Sequence, residues 1–291
     1  MDAIKFYLLE KKNLVDRRLK EVFPERDQDK LKKLDQTIRY SLFSGGKRIR
    51  PILTIAIYEI KKKDIENILL AACCVEIFHT ASLMLDDLPS MDNAKTRRNH
   101  PSPHIIFGES TTILAAVSLA SKGFEILSKE LNRLGAQPSL MSTIIEMSAK
   151  LIGMDGTIGG QFMDLNYNHP SEEEILLIHV KKTGSLFYLS ALLGAELANF
   201  PIDERNSIIE YAKHFGLLYQ IVDDLNDTEE DKKINMIKVC GAEKTKQILK
   251  EEKETCIKEL EGIKGDTIIL KEMVEYIYSR GEKWISKRFK T

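Results

Sequence analysis

Apolar residues recur mostly every three or four positions along the chain, which is the spacing of one buried face of an α-helix. No run alternates apolar and polar residues for long enough to require a strand. The eight prolines all fall between Pro24 and Pro201, at points where they can separate helices instead of interrupting them. The pattern therefore predicts an all-α protein of roughly ten or more helices.

The most apolar run, from about Ile68 to Leu85, predicts a buried central helix. It is nearly long enough to cross a bilayer, but Glu76 and His79 lie inside it, so we expect no membrane span. Ser171 and Glu174 have the spacing of a capping box and predict the start of a later helix.

Composition limits the choice of partners and compartment. The 291 residues are 43% apolar and 30% charged, which is ample for a single domain over residues 1–291. The formal net charge of −1 gives no overall field that would attract nucleic acid. The cysteines, Cys73, Cys74, Cys240 and Cys256, lack Cys-x-x-Cys spacing, and residues 1–23 lack the apolar core of a signal peptide. We therefore predict a cytoplasmic protein with reduced thiols.

Acidic residues directly follow the central helix. Asp86 and Asp87 stand where Pro89 ends that helix, and Asp92 follows. Carboxylates at the negative end of a helix dipole are unfavourable unless they hold cations. Oxygen ligands of this kind suit a hard cation, so the stretch predicts a magnesium site.

Arg97 and Arg98 follow these acids, and a guanidinium group can grip phosphate oxygens with two hydrogen bonds. His79 lies two helical turns before Asp86 on nearly the same face. A lone histidine in an apolar helix is more often a core residue, but the shared face favours a functional role here. The stretch thus indicates a diphosphate held between magnesium and arginine.

A second acidic cluster comes 137 residues after the first, at Asp223 and Asp227. These residues are four apart and share a helical face, with Gln220 one turn earlier. Like charges at this spacing repel each other unless a cation lies between them. Two such clusters could face each other across a bundle and hold several magnesium ions against one diphosphate.

Three further motifs carry weaker signals. The stretch Gly45–Pro51 places cations after two glycines at a helix start, which makes either an anion site or an ordinary basic turn. In the stretch Gly159–Asp164, adjacent glycines suggest a close helix approach or a kink, and Gln161 and Asp164 can hydrogen-bond across a cavity. In the stretch Lys182–Gly184, the glycine predicts a helix break that exposes a carbonyl and a hydroxyl, although a helix end with a surface lysine fits equally.

Together these five motifs resemble the trans-isoprenyl diphosphate synthases, which include the farnesyl and geranylgeranyl diphosphate synthases. The likeness covers about residues 35–240. Its specific part is the pair of clusters, Asp86-Asp87-x-x-x-x-Asp92 and Asp223-Asp224-x-x-Asp227. The resemblance implies an all-α, isoprenoid-synthase-type bundle around a deep central cavity, a homodimer, and two to three Mg²⁺ ions per site. It also implies condensation of isopentenyl diphosphate with an allylic prenyl diphosphate.

The resemblance assigns roles position by position. The isopentenyl diphosphate site would comprise Lys47, Arg50, His79 and Arg98. The allylic diphosphate site would comprise Arg97, Lys182, Thr183 and Gln220. The metal ligands would be Asp86, Asp87, Asp92, Asp223 and Asp227. The residues that act in catalysis would be Asp86, Asp87, Lys182, Gln220 and Asp223.

Product length in this family follows from the helix before the first cluster. A large aromatic residue five positions before the first aspartate tends to stop elongation at 15 carbons. Here Ala81 occupies that position and Ser82 follows it, so we expect a deeper cavity and a 20-carbon product, with 15 carbons as the alternative. Phe78, four residues before Ser82, is the candidate floor of the cavity.

The chain departs from the family pattern in two places. The usual Arg-Arg-Gly is Arg97-Arg98-Asn99. The segment after Asp227 lacks a longer loop with glycine and lysine, which leaves open whether Lys232 or Lys233 contacts diphosphate.

Three rival functions share parts of the pattern. A terpene cyclase of the same fold needs no second diphosphate pocket. A regulatory subunit would be free to lose its aspartates, yet both clusters are complete. A magnesium-dependent phosphohydrolase would leave the apolar cavity unexplained.

Overall fold

The protein, as a computed structural model, is described over residues 2–25, 30–226 and 235–288. Across these ranges α-helices dominate, which confirms the all-α prediction. The helices are α1 (Asp2–Val22), α2 (Lys32–Phe43), α3 (Ile49–Lys61), α4 (Glu66–Asp86), α5 (Pro103–Phe107), α6 (Glu109–Arg133), α7 (Pro138–Ile152), α8 (Thr157–Asn166), α9 (Glu172–His179), α10 (Ser185–Leu197), α11 (Ile202–Asn226), α12 (Met236–Cys240), α13 (Ala242–Glu259) and α14 (Ile268–Arg288). Two short antiparallel strands, β1 (Thr96–Arg97) and β2 (His100–Pro101), form a hairpin.

Helix α4 lies at the centre of the bundle, against α3, α6 and α10. It is buried on nearly all sides, as its continuous apolar sequence predicts. One hydrophobic cluster extends from Ile4 on α1 to Ile277 on α14. The stretches Glu66–Asp86 and Glu172–Leu197 are long and apolar enough to span a bilayer, but most of each is buried inside the protein, as in the core of a soluble bundle.

The helix ends agree with the local sequence signals. Helix α4 ends at Asp86, three residues before Pro89. Helix α9 begins with the predicted capping box, in which the Glu174 amide donates to Ser171 Oγ at 3.2 Å and the Ser171 amide donates to Glu174 Oε2 at 2.8 Å.

The predicted helix break at Gly184 is wrong. Residues Val180–Gly184 instead form a π-helical turn, called the π-turn below, which joins α9 to α10. Helix α8 packs directly on it, because a Cβ atom on Gly160 would lie 2.3 Å from the Lys182 amide nitrogen. The close helix approach predicted from the Gly159-Gly160 pair is therefore confirmed.

All four cysteines are free thiols. Cys73, Cys74 and Cys256 are buried, and Cys240 at the end of α12 is partly exposed. Burial raises the pKa of each of these thiols. The cytoplasmic location stays a prediction.

Candidate active site

A cavity of about 470 Å³ opens where the ends of α4 and α11 meet the start of α3 and the π-turn. Most of the predicted site residues line it, namely Lys47, Arg50, His79, Ser82, Asp86, Asp92, Arg97, Arg98, Lys182, Thr183, Gln220 and Asp223. The structure places Phe78, Ala81 and Asp87 outside this lining, in the buried interior. Asp227, Lys232 and Lys233 lie outside the described residues.

The acids of the first cluster split into two environments. Asp86 and Asp92 are half-buried and line the cavity, and the Asp92 amide donates to the Asp86 carbonyl at 2.9 Å. Asp87 is only 1% exposed and accepts a hydrogen bond from Arg97 Nε at 2.9 Å. The Asp87 carboxylate is thus neutralised by a guanidinium inside the protein.

Arg98 is presented by a tight turn. Arg98 and Asn99 have φ of 54° and 64°, which is the left-handed pattern of a type I′ hairpin turn between β1 and β2. Asparagine tolerates this conformation better than most residues, so Asn99 can replace the glycine of the family pattern.

The guanidinium of Arg98 reaches the Gly45–Pro51 stretch. Its Nη1 donates to the Gly45 carbonyl at 2.5 Å. Gly46 has φ of 125°, and a Cβ atom there would lie 2.7 Å from Arg98 Cζ. Gly46 therefore provides the space that Arg98 occupies.

A buried carboxylate supports this cationic wall. Glu76 is 2% exposed and accepts hydrogen bonds from Arg48 Nη1 at 2.6 Å and Arg98 Nη2 at 3.5 Å. Arg48 also donates through Nε to Asp16 at 2.8 Å. The sequence prediction gave Glu76 no role, although its position one turn before His79 on the same helix was an available signal.

His79 and Arg50 form a pair on the same wall, with Arg50 Nη1 3.2 Å from His79 Nε2. Burial, together with the charges of Arg50 and Arg98, lowers the pKa of His79 well below its usual value. The imidazole is therefore neutral, and because a guanidinium can only donate, Nε2 must accept. The remaining proton is on Nδ1.

Both described acids of the second cluster line the cavity, but their partners differ. Asp223 lines the cavity, where its Oδ1 lies 3.3 Å from Lys47 Nζ. Asp224 is 7% exposed and accepts hydrogen bonds from Gln220 Nε2 at 2.6 Å and the Met236 amide at 3.3 Å. Burial raises the pKa of Asp224 to about 7. The sequence prediction assigned Asp224 no separate role.

The π-turn supplies the opposite wall. Thr183 Oγ1 donates to Gln220 Oε1 at 2.6 Å, and Lys182 Nζ forms an ion pair with Asp164 Oδ2 at 2.6 Å. Burial alone would lower the pKa of Lys182, but Asp164 and the acids of the first cluster raise it above its usual value. Lys182 is therefore a fixed cation close to both Asp164 and Asp86.

An all-α bundle that directs two aspartate clusters and a set of arginines and lysines into one cavity defines a diphosphate-handling enzyme of the prenyltransferase class. The sequence profile of the polyprenyl synthetase family matches residues 31–246, and the chain belongs to that family. The resemblance to the trans-isoprenyl diphosphate synthases is thereby confirmed.

Individual relatives agree with this assignment. The chain is 39% identical to a geranylgeranyl diphosphate synthase from Cyanophora paradoxa over 77% of this chain and 75% of that protein. It is 35% identical to geranylgeranyl pyrophosphate synthase 4 from Arabidopsis thaliana over 90% of this chain and 74% of the relative. The crystal structure of an FPP/GFPP synthase from Zymomonas mobilis matches with a TM-score of 0.87 at 30% identity, covering 95% of this chain and 100% of that one.

Proposed function

We propose that this chain condenses isopentenyl diphosphate with an allylic prenyl diphosphate and that its main product has 20 carbons. The observation that carries the proposal is the layout of the cavity. Asp86 at the end of α4 and Asp92 in the turn that follows share one cavity with Asp223 on α11, and cations line it on both sides. Such a cavity can hold two diphosphates at once.

The allylic diphosphate binds beside the π-turn. Lys182 faces the cavity as a cation, and Arg97 lines the same space while holding Asp87. Both groups attract the negative charge that grows on the diphosphate as it leaves. Thr183 and Gln220 present oxygen dipoles at the place where a carbocation would remain.

Isopentenyl diphosphate binds at the other wall, between the start of α3 and the β-hairpin. Lys47, Arg50 and Arg98 supply the positive charge, and the neutral His79 has one N–H to donate. Glu76 keeps Arg98 directed toward this wall. A terpene cyclase binds a single diphosphate and would not need this second set of cations.

The carboxylates fit magnesium by their chemistry, since Asp86, Asp92 and Asp223 offer only oxygen ligands to a common cavity. In the described part of the chain, no three His, Cys, Asp or Glu side chains close around a single metal position. When bound, Mg²⁺ would neutralise the leaving diphosphate. Asp87 would orient Arg97 through the hydrogen bond that it accepts from this arginine.

The residues of the chain have binding and shielding roles in the reaction. They align the isopentenyl double bond with the allylic carbon and exclude water from the cation. The proton lost after carbon–carbon bond formation goes to the released diphosphate, because the neutral His79 accepts from Arg50 and is not free to act as a base.

The 20-carbon product is supported by small residues below the first cluster. Ser82 lines the cavity, and Ala81 is buried behind it. The ring of Phe78 is held against Phe124 at a centroid distance of 4.9 Å, where it would form the floor. We expect Ala81→Tyr to shorten the product, and an unchanged product distribution from this variant would refute the proposed floor.

The function is tested by incubating the protein with Mg²⁺, labelled isopentenyl diphosphate and, separately, each allylic starter of five, ten and 15 carbons. A 20-carbon diphosphate supports the whole proposal. A 15-carbon end point keeps the reaction and moves the cavity floor closer to Asp86. No condensation with any starter would reject the proposed function.

A homodimer is also proposed. Exposed apolar side chains form a stripe on α6, namely Ile113, Leu114 and Val117, and a second stripe on α8, namely Ile158, Phe162 and Leu165. Apolar surface of this kind is typical of a face that another chain covers. Analytical ultracentrifugation should find twice the monomer mass, and charged substitutions at Leu114 and Val117 should reduce it to the monomer.

A further inference from the structure

Gln161 on α8 has a buried side chain whose amide is unpaired. The residue is 8% exposed and lines the cavity. Within the described structure, neither Oε1 nor Nε2 of this side chain has a hydrogen-bond partner. Buried amides are normally hydrogen-bonded, because an unpaired one forfeits its bonds to water. An amide left in this state at a cavity wall indicates a ligand that completes it.

The backbone of Gln161 is fixed on the allylic side of the cavity. The preceding residue, Gly160, packs against the backbone of Lys182. One turn later on the same helix, Asp164 holds the ammonium of Lys182 at 2.6 Å. Gln161 therefore lies between two contacts to the same lysine, on the wall that also carries Thr183.

Gln220 also lines the cavity, but its side-chain amide is hydrogen-bonded within the protein. The amide of Gln220 is bonded at both ends, to Thr183 Oγ1 and to Asp224 Oδ1, each at 2.6 Å. The protein thus satisfies one cavity amide with its own groups and leaves the other unsatisfied. The two glutamines would differ in that Gln220 is oriented before substrate arrives, whereas Gln161 gains its partners from the substrate.

We propose that Gln161 is a further catalytic residue that contacts the allylic substrate, an inference that rests on the proposed function. Its Nε2–H donates to an oxygen of the allylic diphosphate, and its Oε1 faces the allylic carbons. When the C1–O bond breaks, the electron pair leaves with the diphosphate and positive charge remains on those carbons. The amide stabilises both products of this separation and neither gains nor loses a proton.

The test compares Gln161→Leu with a matched removal of a buried polar group elsewhere, Thr112→Val. The Thr112 hydroxyl is fully buried on α6 and donates to the Gly108 carbonyl at 2.9 Å, so it already has its partner. Both variants are measured without ligand by thermal unfolding and with substrates by steady-state kinetics. Gln161→Met is made alongside as a second apolar replacement in case the leucine variant folds poorly.

We expect opposite results from the two sites. Gln161→Leu should keep or raise the melting temperature, because it removes an unsatisfied amide, and should lower kcat about 10- to 100-fold. Its KM for the allylic substrate should rise, while its KM for isopentenyl diphosphate changes less than about 2-fold. Thr112→Val should lower the melting temperature and leave kcat unchanged.

The inference is overturned if Gln161→Leu and Gln161→Met lower the melting temperature as Thr112→Val does and retain wild-type kcat. That outcome would leave the proposed function intact, because the wild-type enzyme would still condense the two substrates. A wild-type protein without condensation activity would instead refute the proposed function and, with it, this inference.

Discussion

Asp86 on α4 and Asp223 on α11 both line the cavity, and each is followed by a buried aspartate. The two buried residues differ in their partners. Asp87 is paired with the guanidinium of Arg97. Asp224 instead accepts hydrogen bonds from the Gln220 amide and the Met236 N–H, and its Oδ2 lies 3.3 Å from Nε2 of His179, an imidazole whose pKa burial lowers to about 4. The same Asp-Asp sequence thus places a buried acid after a half-buried one at both sites, and of the two buried acids Asp224 lines the cavity whereas Asp87 does not.

The two buried acids differ in the charge of their partners. The carboxylate of Asp87 has a guanidinium within hydrogen-bonding distance, which compensates its buried charge. Asp224 faces the imidazole of His179, which is neutral near pH 7 because burial lowers its pKa to about 4. Burial raises the pKa of Asp224 to about 7, so that it binds a proton near neutral pH. The first pair therefore fixes an arginine, and the second fixes a neutral hydrogen-bond network around Gln220.

The largest effect is expected at Asp86 and Asp223, which line the cavity. Asp86→Asn and Asp223→Asn should each lower kcat for condensation by about 10²–10³-fold, since both remove charge that would hold the cation at the leaving diphosphate. Steady-state assays at saturating Mg²⁺ measure this effect, with ligand-free unfolding as the control for folding. Near-wild-type turnover by either variant would show that its acid is not needed.

The next largest effect concerns the stability that the buried ion pair of Asp87 and Arg97 provides. Arg97→Met leaves the carboxylate of Asp87 without its partner in the interior and should lower the free energy of unfolding by about 3 kcal/mol. Urea titration of the ligand-free protein measures the change. The exposed pair Lys129–Glu125 supplies the control, because Lys129→Met should leave the free energy of unfolding nearly unchanged. Equal changes in the free energy of unfolding at the two ion pairs would show that the buried pair contributes no more than the exposed one.

The smallest effect is the contribution of Asp224 to the pH dependence of the free energy of unfolding, measured in metal-free protein. Its pKa rises from 3.8 in the unfolded chain to about 7 in the folded one. The folded state therefore holds the proton more tightly, so this contribution to stability is complete below about pH 4 and is lost as pH rises to about 7. The slope should not exceed about 1.4 kcal/mol per pH unit.

Urea titrations with chelator across this range should show a stability advantage of the wild type over Asp224→Asn that shrinks as pH rises. The comparison uses this difference because His79 and His179, whose pKa values are lowered by burial, contribute the opposite slope to both proteins. Parallel profiles for the wild type and Asp224→Asn would mean that the acid is ionised in the folded state.

Much of the bundle could be predicted from local sequence. The apolar run that forms α4, the capping box at Ser171 and the close packing at Gly160 each depend on residues within a few positions of one another. Both aspartate clusters and the cations around them were predicted for the same reason, since a motif states which residues share a helical face.

Contacts between distant segments could not be predicted in this way. Which residue of an Asp-Asp pair faces inward depends on Arg97, which returns to Asp87 through the turn at Arg98 and Asn99. Arg48 was one of several cations in its motif, yet it is buried against Asp16, 32 residues away on α1. The π-turn likewise depends on its packing against Gly160 of another helix.

The four thiols differ in burial, and this difference provides a natural site for chemical labelling. Cys73, Cys74 and Cys256 are buried and Cys240 is partly exposed, so a maleimide dye would react at Cys240 alone of the four thiols. Cys240 ends α12, whose first amide binds Asp224. A fluorophore attached there, without any mutation, would report ligand binding at the second aspartate cluster as a change in emission.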